Sequence, residues 1–303
     1  MLRKSSNFNK LPNGRASTSI TKGCLVIEGG AFRGIYAQGV ADFLMEQELN
    51  FECTVGCSAG ALTGMNYVSG QIGRSININL TYRHDSRYVG FKAMVHNKGL
   101  IGFDFVLNRV NQFYPFDKQR FLSKDRRFIA TTTDIKTGRP CYFDKDTSLD
   151  YALTIKASAS MPFISKPVII GDSLYLDGGI VDSIPYRWAI DQGYKKIIVI
   201  RTRETSYRKN VKKNNKLLSH SNLLKQYPAL KQAMKNRPAM YNKQCDDLTQ
   251  LVEDRKVFCI SPSVPVNVGR LEGNIAKLEN LYWLGYQDAQ HFFPDLNDYL
   301  YKS

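Results

Sequence analysis

A serine between two glycines is the first group of residues that could do chemistry. Gly56, Ser58 and Gly60 fit the pattern G-x-S-x-G, where an extended, partly apolar run gives way to a helix-compatible stretch. At such a turn a serine can be held in a strained backbone and project outward as a nucleophile. The free N–H groups of the following helix favour negative charge beside it. A tight turn with a capping serine would give the same pattern, so Ser58 needs partners to count as a nucleophile.

A glycine-rich turn could supply the oxyanion donors that such a serine requires. Residues 29–34 read Gly-Gly-Ala-Phe-Arg-Gly, and successive N–H groups in this kind of turn can point at one anion. The same turn could bind a dinucleotide, because it follows a strand and opens a helix. Ala31 breaks the G-x-G-x-x-G pattern, however, and no acidic residue about 20 positions on falls at a clear strand end, which argues against a dinucleotide.

The base could be an aspartate. Asp177 closes an apolar strand and is followed by Gly178 and Gly179, which hold the carboxylate at the strand end, the edge where open α/β sheets form their sites. An Asp-Gly pair is also a common turn. A free aspartate has a pKa near ~3.9, far from that of serine. Partial burial of Asp177 and the helix dipole at Ser58 would both narrow this gap.

A histidine is the other possible base, because histidine is the usual partner of serine. The order Ser58, Asp177, His291 is that of an α/β-hydrolase triad. His291 falls in an aromatic-rich helix and His220 in a basic, polar stretch, so we expect both at the surface. The chain has four histidines in all: His84, His96, His220 and His291.

The elements that must position these residues alternate between strands and helices, which predicts an α/β fold with a mostly parallel sheet covered on both faces. Residues 74–125 are irregular and predict short helices and loops. We predict strands at 23–28, 51–55, 127–133, 140–143, 167–170, 173–176, 195–201 and 256–260, and helices at 35–49, 59–69, 149–158, 184–192, 219–234, 239–254 and 274–293.

Bulk properties narrow the class of protein. The 303 residues show no linker, so we expect a flexible basic arm at 1–22 and a single domain at 23–303. No apolar run suits a signal peptide or a membrane span, which favours a cytoplasmic protein. The six cysteines are scattered and predict free, buried thiols in a reducing compartment.

The net charge of +15 is compatible with an anionic membrane, a nucleic acid or simple solubility. The sequence contains no recognisable nucleic-acid-binding module, which argues against a nucleic acid partner. Residues 201–216 carry seven Lys and Arg residues against one acid, Glu204. This stretch could contact anionic lipid, but a solvated loop is the simpler interpretation.

The three motifs together resemble those of the patatin-like phospholipase family. They lie at 28–34, 56–60 and 177–179, in the same order as in the family and at plausible spacing. The similarity extends over most of 23–205, includes residues 156–162 and Ile184-Pro185, and is closest to the small single-domain bacterial members. The chain departs from the family at Ala31, which replaces a glycine, and at Glu28, where aspartate is common.

The resemblance implies a three-layer α/β/α fold and lipid acyl hydrolysis by a Ser–Asp dyad, without histidine, metal or cofactor. Ser58 would be the nucleophile, Asp177 the general base, and the N–H groups of Gly29, Gly30 and Ala31 the oxyanion hole. Arg33 would support the loop or add positive charge, unless it is a solvated arginine at a helix start. The remaining supporting residues would be Gly34, Gly56, Gly60, Gly178 and Gly179.

The sequence therefore favours a serine acyl hydrolase of lipid esters, such as a phospholipase A, a lysophospholipase or a non-specific lipid acyl hydrolase. Its expected partners are a lipid ester and the surface of an anionic membrane, contacted peripherally. Two alternatives remain open at this point: a histidine-dependent esterase, and a catalytically idle basic protein that binds membranes.

Overall fold

A strand that is apolar on both faces lies at the centre of the molecule. In the strand Thr21–Ile27, Leu25 and Ile27 pack into one hydrophobic cluster, whereas Cys24 and Val26 pack into another on the opposite face. Such a strand is stable only when helices cover both sides of its sheet. A computed structural model of the chain describes residues 11–90, 92–93, 101–102, 105–148, 150–211 and 222–302.

The strands are β1 (Gly14–Arg15), β2 (Thr21–Ile27), β3 (Phe51–Cys57), β4 (Gln71–Ile72), β5 (Arg127–Asp134), β6 (Pro140–Asp144), β7 (Val168–Ile170), β8 (Ser173–Asp177), β9 (Ile197–Ile200) and β10 (Phe258–Ile260). The central sheet has the order β10-β9-β2-β3-β5-β8-β7, with β6 also paired to β5. The strands from β10 to β5 are parallel, while β6, β7 and β8 run antiparallel to their neighbours. A separate ribbon pairs β1 with β4.

Local signals set several helix starts. The Asp150 side chain accepts hydrogen bonds from the N–H groups of Ala152 and Leu153, and that of Asn274 accepts one from the N–H of Lys277. The helices are α1 (Ile35–Glu46), α2 (Ala59–Val68), α3 (Arg74–Tyr82), α4 (Lys118–Leu122), α5 (Tyr151–Ser158), α6 (Tyr186–Asp191), α7 (Asn222–Gln226), α8 (Pro228–Glu253) and α9 (Ile275–Tyr301), with short 3-10 turns at Ala31–Gly34, Val110–Gln112 and Gly178–Ile180 and a π-helical turn at Phe105–Arg109.

Helices cover both faces of the sheet, which gives the three-layer α/β/α architecture expected from the sequence. Residues of α1 and α9 join the cluster that contains Leu25, and residues of α6 and α8 join the cluster that contains Val26. None of the described helices is both long enough and apolar enough to cross a membrane.

The middle strand β5 brings two distant parts of the chain together. Its successive residues Thr131 and Thr132 are the register partners of Cys57, the last residue of β3, and Asp177, the last residue of β8. Because β8 is antiparallel to β5, it approaches the end of β3 from the opposite direction. The sheet thus brings the turn after Cys57 close to Asp177.

The structure corrects three sequence-based boundaries. Residues 11–22, predicted as part of a flexible arm, pack on the fold: Leu11 and Ala16 are buried and β1 pairs with β4. Residues 1–10 lie outside the described residues. The break predicted between residues 234 and 239 is absent from α8, which continues through Pro238, and α9 passes Pro294 and ends at Tyr301 instead of near 293.

The described part of the segment 74–125 consists of short helices and loops, as predicted. Residues 74–82 form the helix α3, whose Ile76, Ile78 and Leu80 are buried. All six cysteines are free thiols, as predicted; four are buried, whereas Cys141 and Cys259 are half-buried.

Two glycines allow α1 and α9 to touch backbone to backbone. A Cβ atom at Gly39 would lie 2.1 Å from the carbonyl oxygen of Tyr282, and one at Gly285 would lie 2.0 Å from that of Tyr36. No side chain fits at such distances, so any larger residue at either position must push the helices apart.

We therefore expect Gly285→Ala to lower the free energy of unfolding by about 2–3 kcal/mol, because the added methyl group overpacks the contact between the helices. Equilibrium unfolding in urea measures the effect. Gly269→Ala is the matched control: nothing lies within 4 Å of the added Cβ, so its unfolding midpoint should stay near that of wild type. Equal midpoints for both variants would show that the helices do not meet as described.

Candidate active site

Ser58 occupies a strained turn between β3 and α2. Its backbone has φ 56° and ψ −121°, a conformation rare for a residue with a side chain, and Ser58 is only 7% exposed. Two glycines make the turn possible. A Cβ at Gly60 would lie 2.3 Å from the carbonyl oxygen of Ile27, and one at Gly56 would lie 2.4 Å from that of Gly60. The strained serine turn expected from the motif is present.

A second serine, which sequence analysis did not identify, holds this turn in place. The backbone N–H of Ser58 donates to Ser158 Oγ at 2.9 Å, and Ser158 Oγ donates to the carbonyl oxygen of Thr131 at 2.7 Å. Ser158 is fully buried at the end of α5. It lies in the 156–162 stretch that matches the family, but nothing in that stretch indicates what its hydroxyl contacts.

Asp177 accepts a hydrogen bond directly from the candidate nucleophile. Ser58 Oγ donates to Asp177 Oδ2 at 2.6 Å, and the N–H of Gly179 donates to Oδ1 at 2.7 Å, which fixes the carboxylate. Gly178 packs against the carbonyl of Thr131. Burial raises the pKa of the Asp177 carboxyl above its usual value, against the opposing effect of the hydrogen bond from Ser58. The carboxyl is therefore a better proton acceptor than a solvated aspartate.

The glycine-rich turn lies against the serine. A Cβ at Gly29 would be 3.2 Å from Ser58 Cβ, and Gly34 packs on Ala59. The N–H of Gly29, however, donates to the carbonyl oxygen of Ser183 at 3.1 Å, so this predicted oxyanion donor is already used. Within the described residues, the N–H groups of Gly30 and Ala31 have no acceptor.

Ala31 has φ 51°, in the left-handed region that favours glycine. The sequence raised this possibility, because a glycine is usual at this position of the motif. Ala31 also lines the cavity that contains Ser58. The left-handed backbone of Ala31 directs the turn towards this cavity, and it carries strain that a glycine would not have.

Glu28 and Arg33 flank the turn in different ways. Glu28 is 2% exposed and accepts hydrogen bonds from the N–H of Thr202 at 2.6 Å and the hydroxyl of Tyr241 at 2.6 Å. It therefore anchors the turn from beneath. Arg33 is half-buried, and burial together with the charge of Arg203 lowers its pKa to about 10. Arg33 is thus a charged residue beside the site and not a solvated helix-start arginine.

A largely apolar cavity opens at Ser58. It continues between α1, α2, α3 and α5, where the apolar side chains would suit an acyl chain. Near Ser58 its wall includes Ala31, Ala59 and Arg270. The apolar side chains that line it are Phe32, Ile35, Leu62, Met65, Ile78, Val89, Ile101, Val106, Phe116, Ile155 and Met161.

The histidines in the described ranges do not approach the candidate dyad. His84 forms a hydrogen bond at 2.7 Å with the carbonyl of Gly273, and His291 is exposed with its ring against Phe292. Neither lines the cavity. His96 and His220 lie outside the described residues. No group of three His, Cys, Asp or Glu among the residues with described positions could hold a metal ion.

Comparisons with known proteins agree with this geometry. A family model described as patatin-like phospholipase matches residues 25–190, which contain Ser58, Asp177 and the glycine-rich turn. A second model, described as a domain of unknown function (DUF6363), matches residues 227–301, which include α8 and α9.

Individual proteins that resemble this chain share only a modest fraction of identical residues with it. The chain is 27% identical over 288 residues to the uncharacterized protein YjjU of Escherichia coli (strain K12), covering 91% of this chain and 78% of that protein. It is 24% identical over 212 residues to the probable lipid hydrolase 463L of Invertebrate iridescent virus 6, covering 62% and 72% respectively. The crystal structure of VipD from Legionella pneumophila superposes with a TM-score of 0.49 at 14% identity, over 90% of this chain and 67% of that one.

The strain at Ala31 predicts the effect of a substitution. Ala31→Gly should raise the free energy of unfolding by about 0.5–1 kcal/mol, because relief of the left-handed strain exceeds the entropy that glycine adds to the unfolded chain. Ala239→Gly, on an exposed position of α8, should lower it by about 1 kcal/mol. Urea unfolding compares the two variants, and the same sign for both would contradict the strained conformation of Ala31.

Proposed function

The chain belongs to the patatin-like phospholipase family, and we propose that it is a serine acyl hydrolase of lipid esters in which Ser58 is the nucleophile and Asp177 the general base. Family membership and the relative described as a probable lipid hydrolase support lipid hydrolase activity. The observation that carries the finer proposal is the 2.6 Å hydrogen bond from Ser58 Oγ to Asp177 Oδ2 at the mouth of an apolar cavity.

In the first step Ser58 Oγ attacks the ester carbonyl carbon while Asp177 takes its proton. The raised pKa of Asp177 favours this transfer, and the N-terminus of α2 stabilises negative charge at the serine. The tetrahedral oxyanion would accept hydrogen bonds from the N–H groups of Gly30 and Ala31. Ala59 follows the nucleophile, and its N–H, which has no acceptor among the described residues, would be a third donor.

The tetrahedral intermediate collapses when the bond between the carbonyl carbon and the leaving oxygen breaks. Asp177 returns its proton to that oxygen, so the alcohol or lysolipid leaves and an acyl-serine remains. Water then gives a proton to Asp177 and attacks the acyl carbon. The second intermediate releases the fatty acid, Ser58 regains its proton, and the apolar cavity holds the acyl chain throughout.

The alternatives have less support. A histidine-dependent esterase needs an imidazole at the serine, whereas the described histidines His84 and His291 lie away from the cavity. A catalytically idle membrane-binding protein would have no need for a strained serine held against a buried carboxylate.

We expect Ser58→Ala and Asp177→Asn each to lower kcat/KM for a p-nitrophenyl ester at least about a thousandfold, because each removes one half of the dyad. Ser58→Ala should also abolish covalent labelling by a fluorophosphonate probe. Thermal unfolding checks that the variants are folded.

The matched controls are His84→Ala, His96→Ala, His220→Ala and His291→Ala, which should keep wild-type activity. A folded histidine variant without activity would replace the dyad by a triad. A wild-type protein that neither reacts with the probe nor hydrolyses the ester would support the idle protein instead.

The raised pKa of Asp177 predicts the pH dependence of the reaction. Only the carboxylate form accepts the proton of Ser58, so kcat/KM should be full above the pKa of Asp177 and should fall as the pH drops through it. Because burial raises this pKa, the fall should begin at a higher pH than for a solvated aspartate, whose pKa is near ~3.9. Stopped-flow ester hydrolysis gives the profile, and constant activity down to about pH 4 would exclude a buried carboxyl base.

A further inference from the structure

Four arginines next to the candidate site have no carboxylate partner. Within the described ranges, Arg33, Arg203, Arg237 and Arg270, here called the arginine cluster, form no ion pair. Other basic residues of the 201–216 stretch do: Arg201 pairs with Glu28, and Arg208 with Asp246. The solvated loop expected from the sequence is therefore a poor description, because part of this stretch turns inward.

The members of the arginine cluster come from four separate segments around the dyad. Arg33 is two residues after Ala31. Arg203 follows Thr202, whose Oγ1 would lie 2.7 Å from a Cβ at Gly30. Arg237 Nε donates to the carbonyl oxygen of Gly179, two residues after Asp177. Arg270 lines the same cavity as Ser58. The cluster thus has members at the glycine-rich turn, at the turn after Asp177 and in the wall of the cavity.

Two of these guanidinium groups carry an unsatisfied donor. The Nε atoms of Arg33 and Arg203 are buried and have no hydrogen-bond partner in the described part of the chain. The positive charges also act on one another, since Arg203 and Arg270 add to the burial that lowers the pKa of Arg33. A buried, unpaired donor is costly, and an anion that accepted these N–H groups would offset that cost.

A lysine next to the arginine cluster adds to this preference for anions. Lys209 Nζ lies 3.6 Å from the centre of the Tyr241 ring, and burial together with the charge of Arg237 lowers its pKa to about 6. The charged form of the amine is therefore disfavoured in the unliganded protein. A bound anion would favour its charged form and so gain a further attraction.

The site combines apolar and cationic groups. The apolar cavity continues from Ser58, Arg270 lies in its wall, and the other arginines of the cluster belong to segments that neighbour the candidate dyad. A lipid ester has matching groups, with an apolar chain on one side of the reacting carbonyl and, in a phospholipid, a phosphate close to its other side. Arginine is well suited to bind phosphate because its planar group donates two parallel hydrogen bonds.

We propose that the arginine cluster binds the phosphate of a lipid headgroup with net negative charge, so that the enzyme hydrolyses anionic phospholipids in preference to zwitterionic ones. This inference rests on the proposed function. The carboxylates whose charge acts on Arg33 and Arg237 are Glu28 and Asp177, and both already accept hydrogen bonds from the protein. The positive charge of a choline group would lie beside four arginines, and neither of these carboxylates would be free to pair with it.

The test uses short-chain lipids as monomers, below their critical micelle concentration, so that attraction between a basic protein and a charged surface plays no part. We expect kcat/KM of the full chain to be about tenfold or more higher for dihexanoyl phosphatidic acid than for dihexanoyl phosphatidylcholine. Arg270→Gln and Arg203→Gln should each lower this ratio about tenfold. Arg187→Gln, an exposed ion-paired arginine, is the control of equal charge change and should leave the ratio unaltered.

Equal turnover of both lipids by wild type, or equal ratios in Arg270→Gln and Arg187→Gln, would overturn the inference while the hydrolase proposal stands. Arg270 is exposed, so its substitution should not affect folding. Inorganic phosphate is the remaining probe, added as an inhibitor of p-nitrophenyl ester hydrolysis. Inhibition that depends on Arg270, without any headgroup preference, would assign the cluster to free phosphate and reject the lipid headgroup.

Binding to Ser58→Ala separates the two proposals. Calorimetric titration of this variant with monomeric dihexanoyl phosphatidic acid and phosphatidylcholine should show the same preference without turnover. If wild type is inactive but this preference is present and lost in Ser58→Ala/Arg270→Gln, the anion site stands and the hydrolase proposal fails. If binding shows no preference, the anion site fails whatever the activity.

Discussion

The site depends on how β3 and β8 pair with β5. Both strands pair with the same edge of β5, one after the other along its length. Cys57 and Asp177 pair with successive residues of β5, Thr131 and Thr132, so the strained turn after β3 meets the carboxylate that ends β8. The carbonyl of Thr131 also accepts the hydrogen bond of Ser158, which holds the N–H of Ser58. Two successive residues of β5 thus position three separate segments of the chain. A slip of one residue in either pairing would separate Ser58 from Asp177.

Much of the fold could be predicted from the sequence because its strands and helices have strong local patterns. The errors at α8 and α9 have a common cause. Both predicted helix ends lie close to a proline, Pro238 or Pro294, and a proline inside a helix removes a hydrogen bond and clashes with the preceding turn. In the structure both helices continue, and the residues beyond each proline are buried on the sheet: Tyr241, Cys245 and Leu248 in α8, and Leu296, Tyr299 and Leu300 in α9. Packing energy outweighs local propensity there, and it cannot be read from a short window of sequence.

The candidate site could be predicted only where its residues fall in short, contiguous sequence motifs. Ser58, Asp177 and the glycine-rich turn are such motifs. The use of the Gly29 N–H by Ser183, and of the Ser58 N–H by Ser158, depends on contacts between distant residues. The same holds for the position of Asp177, which sequence analysis assigned to the carboxyl edge of a parallel sheet although β8 is antiparallel. The members of the arginine cluster are spread over more than 200 positions of the chain, so no short sequence motif contains them.

The arginine cluster and the candidate dyad influence each other through charge. Burial raises the pKa of Asp177, whereas the positive charges of Arg237 and Arg270 lower it, so the Asp177 carboxyl of the unliganded site has a lower proton affinity than burial alone would give. An anion bound to the cluster would cancel part of this positive field. The carboxylate would then become a stronger base when a substrate with a negative headgroup is in place. Binding energy from a part of the lipid that does not react would thereby assist proton transfer from Ser58, which is how remote contacts raise kcat.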